Sequence, residues 1–294
     1  MHHIISTSLE DSEQAACHEA QLDQFLDIVF ITNPGGRDEN QDCCGYTRAK
    51  DGTWVFCVAD GLGGHNYGRL AAQSAVAGVL NQADSAGFRF ENNDMILSIF
   101  NNAQEEIIAA QKNRSESTDM RSTLVVAAIK EGLAIWGHVG DVRLYHLRKH
   151  EINFQTRDQS VPQMLVDMGE IEPGDIRRHP DRSRLLKALG KEGENLKVIL
   201  KNSPVQLEQG DVIHMSTDGF WEWIEEFRLQ QILAEHPKPL DSLKALEEEL
   251  RGNAAGQEPD YDNYTAMSIS IGPVKKNMAF WHKTRFVNPE RTKT

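Results

Sequence analysis

The sequence predicts an α+β layered fold, and three observations carry that prediction. Short apolar, β-rich runs recur along most of the chain, links of two or three residues join several of them, and segments with helical spacing fall in groups between them. A parallel crossover needs about a dozen residues, so links this short permit antiparallel neighbours. Antiparallel strands with grouped helices define the α+β class. A chain of 294 residues can bury one sizeable core, and one domain is expected.

Residues 1–27 hold six acidic residues and no Lys or Arg, with an apolar cluster only at Leu22, Phe25 and Leu26, and read as an acidic extension with one or two helical turns. Strand signals follow at 28–31 and 54–59, and residues 43–47 can pair with the second across the Lys50-Asp51-Gly52 turn. Leu70, Ala72, Val76, Val79 and Leu80 give a helix over 68–80, and Asn93 or Asp94 caps a second through Ile96, Phe100, Ile107 and Ile108. Three strands are expected at 124–129, 133–139 and 142–147, the last two joined by Gly140-Asp141. Residues 156–190, rich in charge, Pro and Gly, resemble a surface flap with a short helix at 161–168. Strands at 196–200 and 212–216, helices at 228–234 and 240–250 and a strand at 265–271 complete the domain, 28–272. Residues 273–294 carry six Lys and Arg against Glu290, interleaved with Phe280, Trp281 and Phe286, and form a basic tail read as solvated or internally docked.

The net charge of -13 argues against a general grip on nucleic acid, which depends on neutralising phosphates. Cys17, Cys43, Cys44 and Cys57 lack CxxC spacing, so neither a zinc knuckle nor a disulfide framework is indicated, and Cys43, Cys44 and Cys57 read as strand and core residues. No basic, apolar leader and no run of about eighteen apolar residues is present, so a soluble, cytoplasmic protein without a membrane span is expected.

Asp42, Asp60, Asp218 and Asp262 each sit next to an apolar run, where strand ends can converge although distant in sequence. Clustered carboxylates repel one another unless cations neutralise them, and all-oxygen ligands suit Mg²⁺ or Mn²⁺ better than Zn²⁺. Taken singly, an Asp-Gly pair is a common turn and an arginine such as Arg37 a surface ion-pair partner. His138, inside an apolar strand, reads as a hydrogen-bonded core histidine.

GGRDENQD at 35–42, VADGLGGH at 58–65, STLVVAAI at 122–129, GHVGDVR at 137–143, MSTDGFWE at 215–222 and DNYT at 262–265, in this order, resemble the PP2C (PPM) family of metal-dependent protein serine/threonine phosphatases, in its bacterial form. The resemblance spans about 28–271 and implies a four-layer αββα sandwich of two antiparallel β-sheets flanked by helices, with a metal site at one end. It implies that Asp60 bridges two Mn²⁺ or Mg²⁺ ions, that Gly61 offers its carbonyl, that Asp218 and Asp262 are further ligands, and that Asp42 binds through or orients metal-held water. Asp141 matches a ligand of a third ion, shared with Asp218, the alternative being a carboxylate that orients the site without binding the ion, and Arg37 matches the arginine that holds phosphate oxygens, which a planar guanidinium can do with two parallel bonds. A water or hydroxide bridging the two ions then attacks the phosphomonoester in line.

The implied activity is hydrolysis of phosphoserine and phosphothreonine in phosphoproteins by a monomer that opposes a Ser/Thr kinase. A catalytically weak regulatory module and a hydrolase of small phosphate esters are the alternatives on the same fold. This sequence departs from the family pattern at four places. Leu62 stands where some members carry a candidate general-acid His, with His65 three positions on; Gln41, Arg69 and Gln159 stand where relatives often have Glu, Glu and His.

Overall fold

The computed structural model describes residues 2–5, 17–63, 67–85, 94–113, 119–193, 195–256 and 261–273. The basic tail beyond Pro273, His65 and the Asn93 cap lie outside these residues.

Two antiparallel sheets stack face to face. The first runs β1 (His2–Ile5), β4 (Asp42–Arg48), β5 (Trp54–Leu62), β7 (Leu124–Lys130), β8 (Leu133–Val139) and β11 (Ile199–Leu200), with β6 (Arg121–Ser122) on β5 and β12 (Val205–Gln206) on β8. The second runs β10 (Glu151–Gln155), β9 (Arg143–Arg148), β13 (Val212–Ser216), β14 (Tyr264–Ile271), β3 (Leu26–Asn33) and β2 (His18–Gln21). Helices α1 (Tyr67–Ser85) and α2 (Asp94–Lys112) cover the first sheet. Helices α5 (Glu226–Glu235) and α6 (Pro239–Ala254) cover the second. The expected four-layer αββα sandwich is therefore present.

Three apolar layers explain why the strands read as continuous apolar runs rather than alternating ones. Along β5, Val55, Cys57 and Ala59 face the α1–α2 layer, whereas Phe56 and Val58 face the second sheet. Along β3, Ile28 and Phe30 enter the layer between the sheets, and Val29 and Ile31 meet α5 and α6. Both faces of each sheet are covered, so neither set can be polar. Cys43, Cys44 and Cys57 are buried free thiols within this packing, as expected.

The β4–β5 hairpin forms as expected, and its register sets Asp42 opposite Asp60. Four details differ from the sequence reading. Strands β8 and β9 are not neighbours: the Gly140–Asp141 link carries the chain from the first sheet to the second, where β9 pairs with β10 and β13. Gly140 makes this possible at φ 95, and a Cβ there would come within 2.5 Å of the Thr123 side chain. The helical turns expected near Leu22, Phe25 and Leu26 are absent; Asp23 Oδ1 accepts from the Phe25 and Leu26 N–H groups in a bend, and β1 and β2 supply an edge strand to each sheet. The strand expected at 196–200 shortens to β11, and β10, β12 and the four-residue helix α4 (Asp218–Trp221) were not anticipated.

The segment 156–190 folds back over the ends of the sheets. It contains α3 (Val161–Met168), where the helix was expected, with Ser160 capping the Gln163 N–H and Gly169 ending it at φ 75. A 3₁₀ turn, Pro173–Arg178, follows.

Candidate active site

Asp60 ends the apolar stretch of β5, and its main chain is fixed from both sides. Its N–H donates to Thr123 Oγ1 at 3.1 Å, and its carbonyl accepts from the Thr123 N–H and Ser122 Oγ, each at 2.9 Å. Gly61 follows where α1 approaches so closely that a Cβ would lie 1.9 Å from the Gly68 carbonyl oxygen. Asp141 occupies the link between the sheets, Asp218 opens α4 directly after β13, and Asp262 precedes β14.

These four elements meet at one end of the sandwich. Arg37, Gln41, Asp60, Gly61, Asp141, Asp218 and Asp262 line a single cavity of about 330 Å³, together with Ser183 and Leu185 of the flap. Asp42 lies behind Asp60 rather than on the cavity wall: it is buried, its carboxyl contacts that of Asp60, and its Oδ2 accepts from Thr217 Oγ1 at 2.8 Å. Arg37 reaches the rim, with Nη2 3.5 Å from Asp262 Oδ2, and both side chains are 52 % exposed. Among the described residues, no three His, Cys, Asp or Glu side chains are already gathered into a coordination shell.

The electrostatics of the cavity favour a cation. Burial and the neighbouring carboxylates Asp42, Asp141 and Asp262 push the Asp60 carboxyl well above its ordinary range. Burial, followed by Asp60 and Asp141, does the same for Asp218. Burial raises Asp42 to about 7 against hydrogen bonds from Thr265 and Thr217, and raises Asp141 to about 7 with Asp158 adding to the effect. Each shift measures the cost of holding several negative charges in a poorly solvated space, a cost that a divalent cation removes. Asp141 adds a direct sign of an open ligand position, because its Oδ1 is buried and has no hydrogen-bond partner.

The supporting contacts around the cavity come from residues whose partners the linear sequence did not show. Asn263, beside Asp262, donates from Nδ2 to the Pro34 and Glu39 carbonyls and accepts from the Gln41 N–H, all at 2.8 Å, tying the Arg37 loop to the Asp262 strand. Gln159 docks the start of the flap on the Asp141 turn: its Oε1 accepts from the Gly140 N–H and its N–H donates to the Gly140 carbonyl, both at 2.9 Å. Arg69 forms an ion pair with Glu39 at 2.8 Å. His138 is buried, with Nε2 2.8 Å from the Arg157 carbonyl, the core role expected of it.

The flap is anchored next to the cavity by a buried charge network. Arg143 forms a two-pronged pair with Asp158, at 2.9 and 2.7 Å, and its Cζ lies 3.5 Å from the centre of the Trp221 ring. Glu226 accepts from Arg143 Nη1 at 3.2 Å, Tyr145 Oη at 3.3 Å and the flap's Arg177 Nη2 at 2.6 Å.

Comparison with known proteins matches this arrangement to a family. The family described as Protein phosphatase 2C matches residues 36–252. The chain is 29% identical over 208 residues to the serine/threonine phosphatase stp of Listeria monocytogenes serotype 4b, covering 69% of this chain and 81% of that protein. The structure of the S. agalactiae serine/threonine phosphatase superposes with a TM-score of 0.74 at 23% identity, covering 84% of this chain and 99% of the other. The catalytic domain of the phosphatase PstP, solved with two manganese ions, superposes with a TM-score of 0.68 at 21% identity, covering 84% of this chain and 99% of that one.

Proposed function

The chain belongs to the protein phosphatase 2C family, and from that premise we propose that it hydrolyses phosphoserine and phosphothreonine in phosphoproteins with the help of divalent cations. The observation that carries the reading is the convergence of Asp60, Asp141, Asp218 and Asp262 with Arg37 on one cavity, one carboxylate oxygen of which is buried without a partner. An all-oxygen donor set of this kind fits Mn²⁺ or Mg²⁺. Asp60, Gly61, Asp218 and Asp262 would hold two ions, with Asp42 behind Asp60 orienting it and its bound water, and Asp141 with Asp218 would hold a third. Bound there, the ions would lower the pKa of water and neutralise charge on the transferring phosphoryl group.

The chain's own residues supply the rest. Arg37 stands at the rim, where a planar guanidinium can take two phosphate oxygens and set the phosphorus in line for attack. Ser122 and Thr123 fix the main chain beneath Asp60, and Asn263 fixes Arg37 relative to Asp262. Leu62 lines the cavity beside Asp60 and offers no proton, so the leaving alcohol takes its proton from another donor, for which water is one source. A monomer acting in the cytoplasm against a Ser/Thr kinase is part of the same reading. The free, unbridged cysteines fit a reducing compartment.

The test is hydrolysis of a phosphothreonine peptide and of a small aryl phosphate with Mn²⁺, Mg²⁺ or chelator, for the parent and for Asp60→Ala. Turnover that requires a cation and vanishes in Asp60→Ala is expected. Turnover indifferent to chelator would reject the reading, and turnover of the aryl phosphate alone would assign the enzyme to small esters.

A further inference from the structure

We propose that Trp221 is a positioning residue for Asp141, holding the main chain of the turn that presents this carboxylate to the cavity. The proposal rests on Asp141 being a ligand, as read above. The Trp221 indole Nε1–H donates to the Asp141 carbonyl at 3.0 Å, and both residues are buried. Because the Asp141 Oδ1 has no hydrogen-bond partner, that oxygen does nothing to fix the turn; the main chain must do so.

Trp221 is suited to the task by its own surroundings. It closes the four-residue α4 that Asp218 opens, so one indole links the turn of Asp141 to the turn of Asp218. Its ring is held by two guanidinium groups, with Arg143 Cζ 3.5 Å and the flap's Arg177 Cζ 5.5 Å from its centre. Neither arginine is free to wander, since Asp158 holds Arg143 at 2.7 Å and Glu226 accepts from both. Beside the Gln159 bonds to Gly140, the geometry of Asp141 relative to Asp218 is therefore set by a side chain that touches neither substrate nor ion, and which the flap itself helps to hold.

The experiment is titration of the full chain with Mn²⁺ by calorimetry, alongside thermal melting, for the parent, Asp141→Ala, Trp221→Phe and Trp221→His. The Phe variant keeps an aromatic ring beside the arginines while removing the N–H and part of the ring; the His variant returns a ring N–H on a smaller ring. We expect the Phe variant to melt within a few degrees of the parent, to bind the two tighter ions normally, and to bind the weakest ion about tenfold less tightly or worse, with partial recovery in the His variant. A Phe variant that titrates like the parent, while Asp141→Ala loses an ion, would overturn the proposal. So would a uniform loss of affinity for every ion accompanied by a large fall in melting temperature, the mark of a merely structural role. If Asp141→Ala itself titrates like the parent, the reading of Asp141 as a ligand fails instead, and this proposal falls with it.

Discussion

At the scale of single residues, the cavity is a balance between carboxylates that need a cation and side chains that fix them. Asp60 is closely surrounded, with Asp42, Asp141 and Asp262 all raising its pKa on top of burial. Its charge is therefore a liability in metal-free protein and an asset in metal-loaded protein. Asp60→Asn is expected to raise the melting temperature measured in chelator, by relieving repulsion, while lowering metal-dependent turnover by about a thousandfold or more. Differential scanning calorimetry with and without chelator checks the first part and steady-state kinetics the second; a lower melting temperature in chelator would contradict the account of Asp60. Arg37 predicts the opposite division. Half-exposed and 3.5 Å from Asp262, it lies at the rim rather than among the buried carboxylates. Arg37→Ala should raise KM for the phosphopeptide about tenfold or more and leave the Mn²⁺ titration unchanged.

At the scale of elements, the strands were legible because burial on both faces leaves an uninterrupted apolar run, as in β3, β5 and β7. The carboxylates were legible because each stands inside a contiguous motif at a strand end. The docking role of Gln159, visible only as a departure from the family pattern, and the role of Trp221 were not, because they act through hydrogen bonds to main-chain groups distant in sequence, and such bonds leave no pattern in side-chain spacing. The β8–β9 link misled for a related reason: a two-residue connection suits a hairpin and a change of sheet equally well, and only the packing decides. Strand β13 supplies a pH prediction. His214 is buried, with Nδ1 2.8 Å from Ser268 Oγ, and burial lowers its pKa to about 4. The folded state thus binds this proton less readily than the unfolded chain, whose histidine titrates near 6.5. The stability it allows is fully present above about 6.5 and is lost as pH falls toward 4, to a limit of about 3 kcal/mol. His214→Asn should flatten the fall in melting temperature between pH 7 and pH 5; an unchanged slope would assign the acid sensitivity elsewhere. The flap gives a second element-scale test. Arg177→Ala removes its contact with both Glu226 and Trp221, and a loss of about 1 kcal/mol of local docking would speed tryptic cleavage within residues 178–187 about fivefold.

At the scale of the whole molecule, His2–Ile5 and His18–Gln21 close the sandwich even though the sequence around them reads as an acidic extension. β1 continues the first sheet beyond β4, and β2 continues the second beyond β3, so one short stretch shields an edge of each. The edge on β3 would otherwise be long and apolar: Ile28, Val29, Phe30 and Ile31 are all buried, and His18 stacks on Phe30 at 4.9 Å. Two further ties join this stretch to the sandwich, from Trp54 Nε1 to Asp23 Oδ2 at 2.9 Å and from the Gly272 N–H to the Phe25 carbonyl at 2.7 Å. An uncovered strand of this composition is a template for pairing with another chain. Removing residues 1–25 forfeits the ladders, the aromatic stack and both ties, together about 3 kcal/mol, which in a domain of this size lowers the melting temperature by about 6–12 °C. The cavity residues all lie beyond the deletion, so kcat at 25 °C should stay within about twofold of the parent. Light scattering during the melt separates the two consequences of an open edge. Early scattering marks exposed strands that pair between molecules, a lower melting temperature without scattering marks lost stability alone, and a truncated chain that melts and scatters like the parent would show that these strands neither protect nor stabilise the sandwich.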